Sequence, residues 1–305
     1  MRYVTFSSQD DSTQRLGVID GGEVVDVQSL SSSSGFGELP RSLIEFIGMG
    51  SVFWGGVADM LAKELPRHRS GRHAFDRIHW HAPIPRPAKN IFCLGLNYKS
   101  HAIESATARG RTIKIPDFPV FFTKATTSVN GPFDEIAVDR TLTQQPDWEV
   151  ELGVVIGVPG RNVTRAQALR HVFGYTIVND VTARDIQAKH LQWFKGKSLD
   201  GFCPIGPCVV TSDEFGEPGG KRITLRVNGE TKQDANTSEL IFPVDVIIEQ
   251  LSEGLTLEAG DIIATGTPEG IGLGQTPPQF LQNGDLIEAE IEGIGIMRNR
   301  VRDIG

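Results

Sequence analysis

Two glutamates, Glu149 and Glu151, stand two residues apart in the segment D-W-E-V-E-L-G-V-V-I-G at Asp147–Gly157. Apolar residues alternate with these acids as they do in a β-strand, so both carboxylates project from one strand face. Carboxylates at this spacing repel each other and are costly to bury, so a positive group is expected between them. A divalent cation would meet that need. The alternative is a half-exposed strand with a solvated acidic face, and the pattern favours neither.

A third acid, Asp180, strengthens the hypothesis of a metal site. It stands where the apolar strand Tyr175–Asn179 ends and a helix, Thr182–Gln192 with Thr182 as its N-cap, is predicted to begin. With the two glutamates, Asp180 would form an oxygen-only ligand set, which suits Mg²⁺, Mn²⁺ or Ca²⁺ better than zinc. Considered alone, Asp180 is more often an N-cap or turn residue.

A possible acid–base pair, His101 and Glu104, lies at i and i+3 of a predicted helical turn in Asn97–Ser105. Side chains at this spacing are neighbours on a helix. A carboxylate that orients an imidazole and raises its basicity is the usual construction of a general base. Taken alone, the pair is more often an exposed contact worth a few tenths of a kcal/mol.

Length, charge and cysteine content exclude several classes of protein. The chain has 305 residues and a formal net charge of −8, which argues against a nucleic-acid or anionic-membrane partner. Nothing at Met1–Asp11 resembles a signal peptide, and no apolar run approaches the length of a membrane span. Three cysteines, Cys93, Cys203 and Cys208, fit a reducing compartment. We expect a cytoplasmic protein.

The remaining elements predict a mainly β, α+β protein in two domains, divided at the stiff segment Pro83–Pro87. Residues 1–85 would form a small N-terminal α+β domain, and residues 86–305 the catalytic domain. The dipeptide Asn228-Gly229 between two apolar runs is the strongest hairpin signal in the chain. The segment Ala106–Ile115 has little apolar pattern, which indicates mobility.

Seven short motifs follow one another in a fixed order along the chain. They are N-Y-x-x-H-x-x-E at Asn97–Glu104, E-x-E at Glu149–Glu151, N-D-x-T-A-R-D-x-Q at Asn179–Gln187, G-K-S at Gly196–Ser198, R-V-N-G-E at Arg226–Glu230, T-S-E-L-I-F at Thr237–Phe242, and G-D-I-I-x-T-G-T-P-x-G-I-G at Gly260–Gly272. No single motif is specific, but the ordered set resembles the fumarylacetoacetate hydrolase superfamily over about residues 91–302. The N-terminal segment resembles the small leading domain of many bacterial members.

The resemblance implies a mixed β-sandwich or β-roll catalytic domain, a homodimer, and one Mg²⁺ or Mn²⁺ per subunit. It implies metal ligands at Glu149, Glu151 and Asp180. It implies catalytic roles for His101 and Glu104, on a lid over the site, and for Lys197, with substrate contacts at Arg184, Gln187 and Thr267. The chain departs from many members at Lys124-Ala125, where they have Lys-Pro.

From this resemblance we expect a metal-dependent hydrolase of acylpyruvate-type 2-oxo acids, with the metal stabilising a pyruvate enolate. His101, oriented by Glu104, would activate the attacking water, and Ala106–Ile115 would order over the substrate. Decarboxylation of oxaloacetate, or isomerisation or hydration of a diene-type 2-oxo acid on the same site, is the nearest alternative. A non-catalytic protein that binds oxo acids is a third.

Overall fold

The computed structural model describes residues 1–110, 112 and 114–304. The predicted mobile segment Ala106–Ile115 includes Arg111 and Ile113, which lie outside the described residues. The strands are β1 Arg2–Ser8, β2 Asp11–Asp20, β3 Glu23–Asp26, β4 Arg72–Ala74, β5 Ile78–His81, β6 Ile91–Gly95, β7 Val120–Lys124, β8 Val129–Asn130, β9 Ile136–Asp139, β10 Pro146–Asp147, β11 Val150–Ile156, β12 Val172–Asn179, β13 Thr182–Ala183, β14 Cys203–Thr211, β15 Arg222–Val227, β16 Glu230–Asn236, β17 Ile262–Ala264, β18 Leu286–Ile291 and β19 Gly295–Ile304.

The described residues also contain nine α-helices, which have between four and fourteen residues. They are α1 Val27–Ser34, α2 Leu43–Gly48, α3 Ser51–Glu64, α4 Lys99–Ala108, α5 Arg165–Ala168, α6 Arg184–Lys189, α7 Phe194–Lys197, α8 Ser212–Phe215 and α9 Val244–Ser252. No helix among the described residues combines the length and the apolar character needed to cross a membrane. The mainly β, α+β class predicted from the sequence is confirmed.

A large mixed sheet forms the centre of the molecule, with its main path in the order β4-β3-β2-β1-β14-β12-β11-β17-β6-β7. Every residue of β11 and of β12 is buried, which explains why both strands are almost continuously apolar. The two strands are antiparallel, with Val150 opposite Asn179. The beginning of β11 therefore lies beside the end of β12.

A second sheet, in the order β16-β15-β18-β19-β9, packs against this centre. Its predicted hairpin is confirmed, since Asn228 and Gly229 both adopt positive φ angles, 52° and 80°, as a tight two-residue turn requires. Val150, Leu152 and Val154 of β11 belong to the core shared by both sheets. The alternation of the strand leaves Glu149 and Glu151 on its opposite face.

The N-terminal strands extend the main sheet. Strand β1 pairs antiparallel with β14, so residues before the predicted boundary at Pro83–Pro87 share a sheet with the rest of the chain. Helices α1 to α3 cover this end through a separate apolar cluster that includes Phe46 and Leu61. The division into residues 1–85 and 86–305 stays a prediction.

One predicted helix begins later than expected. Thr182 is not an N-cap, because Thr182–Ala183 pairs with Pro146–Asp147 as a two-stranded ladder, and α6 begins only at Arg184. The pairing partner lies more than thirty residues earlier in the chain, so local helix signals around Thr182 could not reveal it. The consequence is that Arg184 leaves the ladder directly beside Asp147.

Candidate metal and acid–base site

Glu149, Glu151 and Asp180 converge where β11 begins and β12 ends. Glu149 precedes β11, Glu151 lies within it, and Asp180 follows β12, so the antiparallel register of the two strands brings the three together. One carboxylate oxygen from each lies within 4.8 Å of the others. Their exposed fractions are 4%, 1% and 0%, so water contributes little to their solvation.

Lys197 connects two of these acids. Its Nζ donates to Glu149 Oε2 at 2.7 Å and to Asp180 Oδ2 at 2.6 Å. The other oxygen of each acid also has a cation: Arg184 Nη2 donates to Glu149 Oε1 at 2.7 Å, and Lys124 Nζ donates to Asp180 Oδ1 at 2.6 Å. The positive group expected beside the acids is thus supplied in part by the chain itself.

Glu151 has a different environment from its two neighbours. Its Oε2 accepts a hydrogen bond from the backbone N–H of Gly266 at 2.8 Å. Within the part of the chain that the structure describes, no Lys, Arg or His nitrogen forms an ion pair with Glu151. Burial, together with the charges of Asp180 and Glu149, raises the pKa of Glu151 well above its usual value.

The charged neighbours act in opposite directions on Glu149 and Lys197. Burial alone would raise the pKa of Glu149, but Lys197 and Arg184 hold that pKa well below its usual value. Burial alone would lower the pKa of Lys197, but Asp180 and Glu149 outweigh it and raise that pKa. Glu149 is therefore a carboxylate and Lys197 an ammonium group at neutral pH.

The buried charges at this site do not balance. Four buried carboxylates face three buried cations; the acids are Asp147, Glu149, Glu151 and Asp180, and the cations are Lys124, Arg184 and Lys197. The excess negative charge falls on Glu151, beside an oxygen-only group of ligand atoms. Oxygen ligands of this kind suit Mg²⁺ and Mn²⁺. The residues present therefore fit a divalent cation.

His101 and Glu104 lie on α4 and contact each other. His101 Nδ1 is 3.4 Å from Glu104 Oε2. The other oxygen, Oε1, accepts a hydrogen bond from the backbone N–H of Gly270 at 2.9 Å. A Cβ atom on Gly274 would lie 2.3 Å from that same oxygen, so only glycine leaves space for Glu104 here. The glycine-rich loop Gly270–Gly274 therefore fixes Glu104, and through it the imidazole ring.

The beginning of α4 is held by two of the motifs found in the sequence. The side-chain N–H of Asn97 donates to the carbonyls of Thr265 at 2.8 Å and Phe242 at 3.0 Å, and its Oδ1 accepts from the N–H of Phe242 at 2.8 Å. Asn97 is completely buried. The three hydrogen bonds join the start of the helix that carries His101 to Thr265, directly after strand β17, and to the T-S-E-L-I-F segment.

Asp147 is a site residue that the sequence analysis did not identify. Its Oδ2 accepts from Arg184 Nε at 2.7 Å, and its carboxylate accepts the backbone N–H groups of Gly272 at 2.6 Å and Leu273 at 3.0 Å. Asp147 thus connects Arg184, which contacts Glu149, to the loop that holds Glu104. The available signal was an acid two residues before E-x-E, but its partner loop is 125 residues away.

The departure at Lys124-Ala125 does not disturb the local backbone. Ala125 has φ −62° and ψ 147°, values that proline also adopts. Its backbone N–H donates to Ser198 Oγ at 3.0 Å, a hydrogen bond that proline could not make. In this chain the bond joins the end of β7 to the G-K-S motif that carries Lys197.

A cavity lies beside these groups. Six of the predicted site residues line it, namely His101, Glu149, Arg184, Gln187, Lys197 and Thr267. Of the other three, Glu104 contacts His101, Asp180 contacts Lys197, and Glu151 lies beside Glu149 in the acidic group. Thr267 Oγ1 accepts from Gln233 Nε2 at 2.8 Å. The fold therefore brings all nine predicted residues together, while their roles remain predictions.

Comparison with known proteins places the chain in a family. Residues 90–302 match the family described as Fumarylacetoacetate (FAA) hydrolase C-terminal. Oxaloacetate tautomerase YisK of Bacillus subtilis (strain 168) is 44% identical over 288 residues, which cover 93% of this chain and 94% of that protein. The mitochondrial oxaloacetate tautomerase FAHD2A of Bos taurus is 37% identical over 305 residues, 99% of this chain and 91% of its own. The chain belongs to the fumarylacetoacetate hydrolase superfamily.

Solved structures are similar over the whole chain. Fumarylacetoacetate hydrolase (EaFAH) from psychrophilic Exiguobacterium antarcticum is 41% identical, with a TM-score of 0.82 and full coverage of both chains. Maleylpyruvate hydrolase from Sphingobium sp. SYK-6, in complex with manganese (II) ion and pyruvate, is 28% identical with a TM-score of 0.78 and full coverage of both. A 2-hydroxyhepta-2,4-diene-1,7-dioate isomerase from Mycobacterium marinum is 29% identical, with a TM-score of 0.74, covering 100% of this chain and 99% of its own.

These comparisons confirm the predicted superfamily and fold, and they leave the reaction more open than the sequence analysis expected. Proteins similar to this chain are named as tautomerases, hydrolases and an isomerase. Hydrolysis of an acylpyruvate is not confirmed as the activity of this chain. The related tautomerases are named for oxaloacetate, which is also the substrate of the decarboxylase alternative. Their named reaction, tautomerisation, is different from decarboxylation.

Proposed function

We propose that this protein is a divalent-metal-dependent tautomerase that interconverts the enol and keto forms of oxaloacetate. The observation that carries the proposal is that His101, backed by Glu104, lines the same cavity as Glu149 and Lys197. The cavity is lined by buried polar side chains that converge from several elements, an arrangement typical of a site for a small molecule rather than a macromolecule. The choice of oxaloacetate is supported by the names of relatives that are 44% and 37% identical to this chain.

Glu149, Glu151 and Asp180 would hold one Mg²⁺ or Mn²⁺ ion per chain. When bound, this ion would supply a Lewis acid that stabilises negative charge on the oxygen of the 2-oxo group. Lys197 stays cationic, because Asp180 and Glu149 outweigh burial and raise its pKa. It would add a fixed positive charge beside the substrate, in a site where little water competes.

His101 would move the proton. With the Nδ1 proton directed towards Glu104, Nε2 would be the acceptor. From the keto form, Nε2 takes a proton from C3, so that the C3–H bond breaks and a C2–C3 double bond forms. The same imidazolium then gives this proton to the C2 oxygen. The reverse sequence gives the keto form, and no other reactant is consumed.

The test follows the enol absorbance of oxaloacetate dissolved from its crystalline enol form, with Mg²⁺ or Mn²⁺ and with a chelator. The proposal predicts a metal-dependent acceleration of ketonisation with no release of pyruvate or carbon dioxide. His101→Asn should lose about 10²–10⁴-fold in rate, as expected when a general base is removed, while still binding Mn²⁺. Wild-type rates in His101→Asn would remove this residue from the mechanism.

Hydrolysis of an acylpyruvate is the second candidate. A carboxylate-backed imidazole can activate water as well as remove a carbon-bound proton. The similar structure of maleylpyruvate hydrolase contains manganese and pyruvate, the product expected from such a cleavage. Metal-dependent formation of pyruvate from acetylpyruvate or fumarylpyruvate, without acceleration of oxaloacetate ketonisation, would favour the hydrolase. Carbon dioxide release from oxaloacetate would favour the decarboxylase.

A further inference from the structure

The indole ring of Trp193 occupies the space that the missing side chain of Gly95 leaves at the end of β6. A Cβ atom on Gly95 would lie 2.1 Å from Trp193 Cζ3 and 2.6 Å from Cη2. The φ angle of Gly95 does not lie in the left-handed region, so the backbone alone would allow alanine. Glycine is required here because the six-membered ring of the indole rests directly on the strand. The position of Trp193 is thus fixed against β6.

Phe122, on the neighbouring strand β7, contacts the same indole ring. The two ring centroids are 5.3 Å apart at an interplanar angle of 76°, an edge-to-face arrangement that aromatic pairs prefer. The strand register explains this contact, since Gly95 pairs with Val120 and Cys93 pairs with Phe122. Phe122 therefore projects from the sheet face on which a Cβ atom of Gly95 would also lie. Trp193 is held by two adjacent strands.

Lys197 is connected to both aromatic residues. Its Nζ lies 5.3 Å from the centroid of the Phe122 ring, within the range of a cation–π interaction. Its backbone N–H donates to the carbonyl oxygen of Trp193 at 3.2 Å, in the single turn that forms α7. A helix of four residues is not stable alone, so tertiary contacts must determine where it lies. The contacts of Trp193 with Gly95 and Phe122 supply such contacts at the beginning of α7.

The ammonium group of Lys197 depends on its surroundings for a defined position. A lysine side chain is a flexible four-carbon stem, and that of Lys197 is buried. Its hydrogen bonds to Glu149 and Asp180 use two of its three N–H donors. An aromatic ring within about 6 Å adds an attraction that is strongest where water is excluded. The Phe122 ring supplies this attraction.

We propose that Trp193 and Phe122 are positioning residues, which hold the ammonium group of Lys197 in place beside the substrate. This inference rests on the proposed function, in which Lys197 supplies a fixed positive charge. Gly95, Phe122, Trp193 and Lys197 all line the cavity that His101 also lines. Trp193 determines where α7 begins, and Phe122 lies against the ammonium group. If the two rings formed only an apolar wall, their effects would not depend on Lys197.

A double-mutant cycle, measured by urea denaturation of the full chain in chelator, tests the contact without any substrate. Phe122→Leu removes the ring and keeps an apolar side chain, and Lys197→Met removes the charge. Phe122→Leu should change the unfolding equilibrium constant about fivefold more when Lys197 is present than in Lys197→Met. An equal change in the two backgrounds would overturn the proposal. The kinetic comparison decides if Lys197→Met does not fold.

Steady-state ketonisation of oxaloacetate with Mn²⁺ tests the positioning role. Phe122→Leu and Trp193→Leu should each lower kcat by about tenfold and leave KM within about twofold, because a displaced ammonium group is missed where charge develops in the transition state. Phe122→Tyr, which keeps the ring, should lose much less. Phe121→Leu is the matched control, since Phe121 is the adjacent phenylalanine of β7, is exposed and does not line the cavity. It should leave both constants unchanged.

The division between kcat and KM separates positioning from shape. A raised KM with wild-type kcat in Phe122→Leu would mean that the ring only shapes the cavity, and would overturn the proposal. Equal losses in Phe122→Leu and Phe122→Tyr would overturn it as well. A wild-type protein that shows the coupling between Phe122 and Lys197 but does not accelerate ketonisation would contradict the tautomerase and leave the support of Lys197 standing.

Discussion

The carboxylate of Asp147 and the guanidinium of Arg184 form a buried ion pair with an Oδ2–Nε distance of 2.7 Å. The same carboxylate accepts the N–H groups of Gly272 and Leu273, and the same guanidinium donates to Glu149. A continuous series of contacts therefore runs from the acidic group, through Arg184 and Asp147, to the glycine-rich loop. Gly270 of that loop donates to Glu104, which contacts His101. The metal-ligand candidates and the acid–base pair are thus structurally coupled.

Asp147→Asn should lower the free energy of unfolding by about 3 kcal/mol, because it leaves Arg184 buried beside one carboxylate fewer. It should also reduce kcat, since the loop that holds Glu104 loses its anchor. Urea denaturation and steady-state ketonisation measure the two effects. The control is Asp245→Asn, which removes a partly exposed ion pair with Arg165 and should cost less than about 1 kcal/mol. If Asp147→Asn and Asp245→Asn changed stability and kcat equally, the structural coupling between the acidic group and the acid–base pair would be contradicted.

Glu151→Gln and Glu149→Gln should change metal-free stability in opposite directions. Glu151 is buried beside two other carboxylates, and these conditions raise its pKa, so removing its charge should raise the melting temperature in chelator. Each unit by which folding raises the pKa of a carboxyl group corresponds to about 1.4 kcal/mol of destabilisation of its charged form in the folded protein. Glu149 pairs with Lys197 and Arg184, so its loss should destabilise the metal-free protein by about 3 kcal/mol.

Thermal unfolding with chelator and with Mn²⁺ tests this pair of variants. Added Mn²⁺ should raise the melting temperature of the wild type and have little effect on either variant, because each lacks one proposed ligand. If the melting temperatures of both variants changed in the same direction in chelator, Glu151 would not be the residue that carries the excess negative charge.

Gly274→Ala should impair catalysis by displacing Glu104 rather than by straining the backbone. The new Cβ would lie 2.3 Å from Glu104 Oε1, and φ at this position is not in the left-handed region. We expect a fall in kcat comparable with that of Glu104→Gln and a loss of stability of about 1–3 kcal/mol, typical of overpacking. Gly219→Ala, where a Cβ would meet no atom within 4 Å, should be neutral. Wild-type kcat in Gly274→Ala would show that the loop does not position Glu104.

His81 should make the fold sensitive to mild acid. Burial, followed by the charge of His79, lowers the pKa of His81 below 6.5, against an opposing effect of Asp134. The unfolded chain then binds more protons than the folded chain just below pH 6.5, so stability is present above this pH and is lost as the pH falls through it. His81 contacts Ser7 Oγ at 3.0 Å, which is compatible with a neutral ring.

Urea midpoints between pH 7.5 and 5.5 measure the effect. His81→Asn should flatten part of the decline, whereas His190→Asn, at an exposed position, should leave the slope unchanged. A His81→Asn protein that loses stability as steeply as the wild type would assign the decline to other groups.

Local pattern was enough to predict part of the site. The two-residue period of a strand placed Glu149 and Glu151 on one face, and helical spacing placed His101 beside Glu104. The order of the motifs then grouped these residues with Asp180 and Lys197, and the fold places them around one cavity. Each of these inferences depends on neighbours within a few positions or on motif order, which the sequence displays directly.

Contacts between distant segments account for what the sequence analysis missed. Asp147 acts on a loop 125 residues away, and Lys124 donates to Asp180 across 56 residues. Thr182 was interpreted as a helix N-cap because its strand partner, Asp147, is not a sequence neighbour. Trp193 contacts Gly95 and Phe122, which belong to strands far from it in the sequence. Such roles follow from tertiary structure and have no local signature.

The most direct measurement is the ultraviolet decay of enol-oxaloacetate, with parallel assays for pyruvate and carbon dioxide. The proteins are the wild type and His101→Asn, each with Mn²⁺ and with chelator. Fast, metal-dependent decay in the wild type alone, with neither product formed, is the predicted result. Decay at the uncatalysed rate in the wild type with Mn²⁺, or decay accompanied by stoichiometric pyruvate, would contradict the account of this protein as an oxaloacetate tautomerase.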